Sequence, residues 1–237
     1  MNDKVLTKDR IQSVLWTVYQ KKGYNELLKC AWELMQTCEN KSKFMEYRQM
    51  KGEVAEVVLD FGLRELQQQL KPSIVIKGLC FKLRSNKRAT TEMDVVFVTD
   101  RKIYMFECKS YKNKPKVTGE CMLGSDMDVA SQSKYHLKAL HEYIGKLCKT
   151  DKGGTPYKII LFQMSMEGVI DERTEANKKR IPILDPENFI SYIVDDYNSS
   201  PNDVWNVTEV AKVLEPLAKD SGDVFKIHLN KMIHKGG

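Results

Sequence analysis

Thr91-Glu-Met-Asp94-Val-Val-Phe-Val-Thr-Asp100-Arg-Lys-Ile-Tyr-Met-Phe-Glu107-Cys-Lys109 is the stretch on which the fold turns. Two β-rich runs, 92–99 and 102–109, flank Asp100-Arg101, and so short a break predicts an antiparallel hairpin. With the turn centred between Asp100 and Arg101, Thr99 pairs with Lys102 and Asp94 lies opposite Glu107. Side chains alternate along a strand, so Glu107 and Lys109 share a face. Two carboxylates and an ammonium therefore converge on one patch of sheet, within about 5 Å across the pair. Val95-Val-Phe-Val98 and Ile103-Tyr-Met-Phe106 are too apolar for an exposed hairpin, which destines both strands for burial.

Upstream the chain reads as helical. Ile11, Leu15, Val18 and Tyr19 recur at helical spacing, as do Leu27, Leu28, Ala31, Leu34 and Met35, with Gly23 between the two segments. A longer pattern from Phe44 to Leu70 stops at Pro72, and Ser73–Leu83 reads as a strand. Downstream, residues 112–125 hold a short edge strand, 127–148 a helix, 157–163 a buried strand, 180–184 a short strand and 187–197 a helix. Residues 198–202 read as a linker and 203–218 as a last helix. From residue 44 the order is α-β-β-β-α-β. Hairpin-linked strands pair antiparallel and a strand reached through a helix pairs parallel, so the expected class is α/β, a mixed sheet flanked by helices. The division expected is a helical extension over 1–45, a core over 46–197, and a linker, helix and tail over 198–237.

The bulk properties exclude several classes. The six cysteines include no Cys-x-x-Cys pair, against a zinc site or a disulfide framework. No apolar run reaches membrane length and no signal peptide opens the chain, which predicts a cytoplasmic protein without a membrane partner. Lys and Arg number 38 against 32 Asp and Glu, a net charge of +6 that accommodates a nucleic-acid partner without demanding one.

Facing carboxylates repel unless something neutralises them. Hard oxygen donors select Mg²⁺ or Mn²⁺ over zinc. A lysine beside such an ion can polarise a nucleophilic water or stabilise charge on a phosphorane-like transition state. These are the parts for phosphodiester hydrolysis, although Glu-x-Lys on a strand is often only a solvated salt bridge. On the preceding helix, Lys51-Gly-Glu53-Val-Ala-Glu56 sets Glu53 and Glu56 one turn apart; a metal carboxylate and a solvated acidic face both fit.

Asp94 with Glu107-Cys-Lys109 resembles the core signature of the PD-(D/E)XK nuclease superfamily. Gly52-Glu-Val-Ala-Glu56, Thr91-Glu-Met-Asp94 leading to Phe106-Glu-Cys-Lys109, and Gln132-Ser-Lys-Tyr-His136 with Leu140 are similar to the nuclease-related domain, over about residues 50–165. The resemblance implies a restriction-endonuclease-like αβββαβ core and metal binding by Asp94 and Glu107, joined by the Cys108 carbonyl. It implies that Lys109 assists the attacking water and that Glu56 is the helix carboxylate, with Glu53 a second candidate. It also favours DNA over RNA. Ala55 stands where the family commonly has a second glycine.

Gln132 and His136 lie one turn apart on the helix after the hairpin. Gln132 suits a contact to substrate or to a metal-bound water. His136 could approach a phosphate, although a lone histidine there more often belongs to a solvated face. Lys82, Arg84, Lys87 and Arg88 lead into the Asp94 strand and Lys112, Lys114 and Lys116 leave the Glu107 strand, flanking the site with cations for phosphates. Lys178-Lys-Arg180 could extend that surface. Two rivals stand beside the nuclease: an inactive nucleic-acid- or partner-binding module on the same scaffold, and an interaction protein whose N-terminal helices, with Trp16 and Trp32, dock a partner or a second copy.

Overall fold

The computed structural model describes residues 8–40, 45–82, 90–111, 114–123, 127–148, 156–200 and 204–218. Three helices come first: α1 Lys8–Lys22, α2 Tyr24–Asn40 and α3 Met45–Gln69. Gly23 separates α1 from α2 at φ 80°, a left-handed conformation that glycine adopts without steric cost. Strands β1 Ser73–Lys82, β2 Thr90–Thr99 and β3 Ile103–Tyr111 follow, then α4 Val129–Ile144 and β7 Tyr157–Ser165. The described residues continue with α5 Glu175–Arg180, β9 Ile183–Leu184, α6 Phe189–Asn198 and α7 Val207–Leu214, then a 3-10 turn over Glu215–Leu217.

The main sheet runs β1-β2-β3-β7-β9. β1, β2 and β3 pair antiparallel, whereas β3–β7 and β7–β9 pair parallel, β7 being reached through α4. This is the mixed α/β sheet of a restriction-endonuclease-like fold. The β2–β3 ladder keeps the register the hairpin implies from Val98–Ile103 to Val95–Phe106 and ends there, one step short of the expected Asp94–Glu107 pair. Two readings need correction. The 112–125 segment does not edge the main sheet; β4 Lys116–Thr118 and β5 Met122–Leu123 join β6 Met127–Asp128 and β8 Ile170–Asp171 in a second small sheet. Residues 175–180 are helical, and the strand starts only at Ile183, because Pro182 cannot donate to a ladder.

Each central strand feeds two cores, one per face. Val95, Phe97, Tyr104, Phe106, Ile160 and Phe162 pack with Val54, Val58 and Leu63 of α3 and with Leu15 and Leu27 of the first two helices. Val96, Val98, Ile103, Met105, Ile159 and Leu161 pack with Ala130, Ala139 and Leu140 of α4 and with Val210 and Leu214 of α7. The N-terminal tryptophans make internal contacts: Trp16 lies against Phe61 under the Arg64 guanidinium, and Trp32 donates to Glu187 at 2.8 Å.

Gly62, in the middle of α3, permits the closest approach in this core. A Cβ there would collide with Phe189 Cζ and come within 2.6 Å of Cε1 and 2.9 Å of the Tyr24 hydroxyl. Phe189 is held edge-on by Phe106 and Phe162 and has nowhere to retreat. Alanine improves helix propensity by about 1 kcal/mol, but overpacking costs about 1–3 kcal/mol or more. Gly62→Ala is therefore expected to destabilise, lowering Tm by about 2–4 °C per kcal/mol lost. A Tm equal to or above wild type in a thermal melt would contradict this packing.

Candidate active site

The face of the sheet beneath α4 carries the polar constellation. Ile103 and Met105 of β3 point into the α4 core, and alternation continues that face through Glu107 and Lys109. On β2 and β1 the alternation slips at one point. Met93 joins the same core as Val96 and Val98, and Leu79 the same core as Ile76. Between them sits Gly78 at φ 56°, level with Asp94 and flanked by the Lys77–Val95 and Leu79–Met93 pairs. A left-handed residue turns the local backbone, which only glycine does cheaply.

Asp94 takes up the backbone group beyond the end of the β2–β3 ladder. Its Oδ2 accepts from the Cys108 N–H at 2.8 Å and lies 3.9 Å from Lys109 Nζ. Glu107 is only 6% exposed. Its Oε1 accepts from Lys109 Nζ at 2.5 Å and from Gln132 Nε2 at 3.4 Å. Burial and then the Asp94 charge push the Glu107 carboxyl above its ordinary pKa, against the opposing pull of Lys109 and Gln132. For Lys109, burial works against the ammonium, but Glu107 and Asp94 outweigh it and the pKa rises. Gln132 is aimed by α4, whose start is capped by Asp128 accepting from Ser131 N–H at 2.9 Å.

Asp94, Glu107, Lys109 and Gln132 thus come together. Glu56 is exposed on α3, and its charge reaches Cys108, whose thiol pKa rises through burial and then Asp94 and Glu56. His136 corrects the expectation of a solvated face: it is 5% exposed. Burial lowers its pKa, partly offset by Asp94 and the Glu92 backbone, and Nε2 has no partner among the described residues. It is buried on the sheet side of α4, and contact with a phosphate at the surface does not fit it. Arg84, Lys87, Arg88, Lys112 and the Lys82 side chain lie outside the described residues. Lys114 is exposed, and Lys116 pairs with Glu172 at 2.8 Å. Of the 178–180 run, Lys178 pairs with Glu175 and Arg180 with Glu120, so that surface is largely self-neutralised.

One residue escaped the sequence reading. Gln163 on β7 pairs in register with Lys109 and is 3% exposed. Its signal was there: a single amide at the end of the apolar run Ile159-Ile-Leu-Phe162.

The donors suit a hard divalent cation, being two carboxylates on one face, one of them buried and destabilised by the other. Among the described residues no group of three or more His, Cys, Asp and Glu gathers, so a cation here would complete its shell with backbone carbonyl, water or substrate oxygens. No helix among the described residues is long and apolar enough to cross a membrane.

Residues 51–162 match the family model of the nuclease-related domain. No curated protein matches the chain. Among solved structures, the protein of unknown function AF1548 is 13% identical, with a TM-score of 0.29, covering 76% of this chain and 78% of that one. Protein VC1899 from Vibrio cholerae is 14% identical at a TM-score of 0.39, covering 81% of this chain and 50% of that one. Can2 from Sulfobacillus thermosulfidooxidans, solved in complex with cyclic tetra-adenylate, is 16% identical at a TM-score of 0.34, covering 79% of this chain and 56% of that one. The chain thus spans about half the length of the last two.

Proposed function

Residues 51–162 form a nuclease-related domain, of the PD-(D/E)XK-like superfamily, and on that premise we propose that the protein hydrolyses phosphodiester bonds of nucleic acid. The observation that carries the reading is Glu107. It is a buried carboxylate held against Asp94 at an energetic cost, with Lys109 in contact. Asp94 and Glu107, with the Cys108 carbonyl, would hold Mg²⁺ or Mn²⁺, with Glu56 of α3 as the further carboxylate that the family resemblance implies. The ion would supply Lewis acidity and lower the pKa of water. Lys109 presents its ammonium where negative charge builds on the phosphoryl oxygens as water attacks phosphorus and releases a proton to solvent, and the bond to the sugar oxygen breaks, that oxygen leaving with a proton from solvent. Gln132 orients Glu107 from above. DNA is favoured over RNA by the family resemblance alone.

One observation favours a second reading, a module that binds nucleic acid without cleaving it: the Glu107 charge already has Lys109 as its counterion. One assay separates the two. Purified protein is incubated with circular single-stranded DNA, linear duplex and RNA, in Mn²⁺ or in EDTA. Cleavage of any substrate that EDTA abolishes is the expected result, and binding without cleavage in Mn²⁺ would sink the hydrolase.

The basic runs of the sequence supply phosphate contacts in this reading. Neutralising Lys82, Arg84, Lys87 and Arg88 together is expected to weaken binding to all sequences alike. It should also flatten the fall of affinity with salt, because fewer counterions are released. An affinity titration across salt concentrations with an unchanged slope would make those side chains solvated bystanders. In this reading Lys112, Lys114 and Lys116, which follow the Glu107 strand in the sequence, extend the track.

A further inference from the structure

Gln163 is 3% exposed, yet neither its Oε1 nor its Nε2 has a hydrogen-bond partner among the described residues. Native chains seldom keep a buried amide in that condition without a use for it. Its place suggests the use. Ile159 and Leu161 of β7 point into the α4 core, so alternation sets Gln163 on the face that carries Glu107 and Lys109. It is the in-register parallel neighbour of Lys109, one strand spacing of about 4.8 Å away.

We propose that Gln163 Oε1 is a second seat for the Lys109 ammonium, occupied whenever the Glu107 carboxylate is engaged elsewhere. In its functional form this rests on the nuclease reading above. An ammonium has three donors, of which Glu107 Oε1 takes one at 2.5 Å, while Asp94 Oδ2 at 3.9 Å lies beyond hydrogen-bond reach. In this state Lys109 neutralises a carboxylate that a divalent cation would use, and two cations sharing that carboxylate would repel. Lys109 must then leave Glu107 and still remain beside the site. An amide oxygen in register meets that requirement. Being neutral, it neither traps the lysine nor competes for the cation; a carboxylate there would do both, and an aliphatic side chain would do neither job. Ser165 Oγ, two residues along the same face and likewise without a partner, is an acceptor for the amide nitrogen once the side chain turns. Gln163 is thus a positioning residue acting through Lys109.

A thermal-stability cycle in EDTA tests the seat without metal or substrate. Gln163→Met alone keeps the length and removes an unsatisfied amide, so Tm should hold or rise. In the Glu107→Ala background, where Lys109 depends on Gln163, the same substitution should lower Tm. Equal shifts in the two backgrounds would overturn the proposal, the lysine then turning to Asp94 or to solvent. With Mg²⁺ and nucleic acid, Gln163→Met should lower kcat by about 10- to 100-fold with KM little changed, the signature of a misplaced catalytic group. Wild-type kcat in that variant would also overturn it. If the wild-type protein itself cleaves nothing, the nuclease reading fails, and the cycle in EDTA alone decides whether the seat exists.

Discussion

Lys109→Met is expected to lower kcat by about 100-fold or more while nucleic-acid and metal binding persist. Lys109 sits against both carboxylates, with 20% of its side chain exposed. Two roles compete for so placed a lysine, a structural counterion and a charge that acts in the transition state. As a counterion alone, its loss would appear in stability: Glu107 would be left buried beside Asp94, and removing one partner of a buried pair costs up to about 3–5 kcal/mol. Part of that cost is relieved because Glu107, its carboxyl pKa already raised, can take up a proton. As a transition-state charge, its loss appears in kcat even where the fold survives. Lys109→Arg separates the two, since a planar guanidinium keeps the positive charge but cannot reproduce a compact ammonium beside a water. Arginine should restore Tm and leave turnover low. Single-turnover cleavage at saturating Mn²⁺, with melts on the same samples, decides it; near-full activity in Lys109→Met would reduce Lys109 to a salt-bridge residue.

Glu107→Gln should abolish metal-dependent cleavage and, in EDTA at neutral pH, hold or raise stability. Burial and the Asp94 charge raise the Glu107 pKa above about 4.5 in the folded protein. Between that ordinary value and the raised one, the folded chain binds the proton that the unfolded chain has released. Stability therefore falls as pH climbs through this window, and above it the charged carboxylate is a standing cost. Glutamine removes the ionisation, keeps the shape and can still meet Lys109 through its carbonyl oxygen. Its stability should accordingly be flat over the window in which wild type declines. A divalent cation reverses the order by neutralising the carboxylates, so Mg²⁺ or Mn²⁺ should raise the wild-type Tm far more than that of the variant. Asp94→Asn should lose cleavage in the same way. A Glu107→Gln protein that still cleaves at the wild-type rate would remove Glu107 from the site.

The hairpin register was legible because its turn is two residues long and both strands are apolar on both faces, which leaves one alignment that buries them. The helices of the first 70 residues were legible from helical spacing, with Gly23 parting the first two. The second sheet was not: β5, β6 and β8 are two residues each, too short for any period to register, and β4 pairs with β8 more than 50 positions away. Helix α5 was hidden by its six-residue length and its polar content.

The chain's own pattern was enough to set Glu107 and Lys109 on one face, because strand alternation is a local constraint, whereas Asp94 stands where the β2 alternation slips and meets the site through the Cys108 N–H. It was also enough to bring Gln132 near, since a helix after β3 must cross back over the sheet to reach β7. Only tertiary structure decided the rest. His136 looks like a surface residue by helical spacing, but α4 packs on the sheet and buries it. Gln163 reads as the polar end of a buried strand until the parallel pairing of β3 with β7 sets it beside Lys109. That pairing is long-range, and no local period encodes which strand lies next to which. The electrostatics followed from the same source: the raised Glu107 carboxyl is a product of burial, and how deeply a side chain is buried is settled by what packs over it.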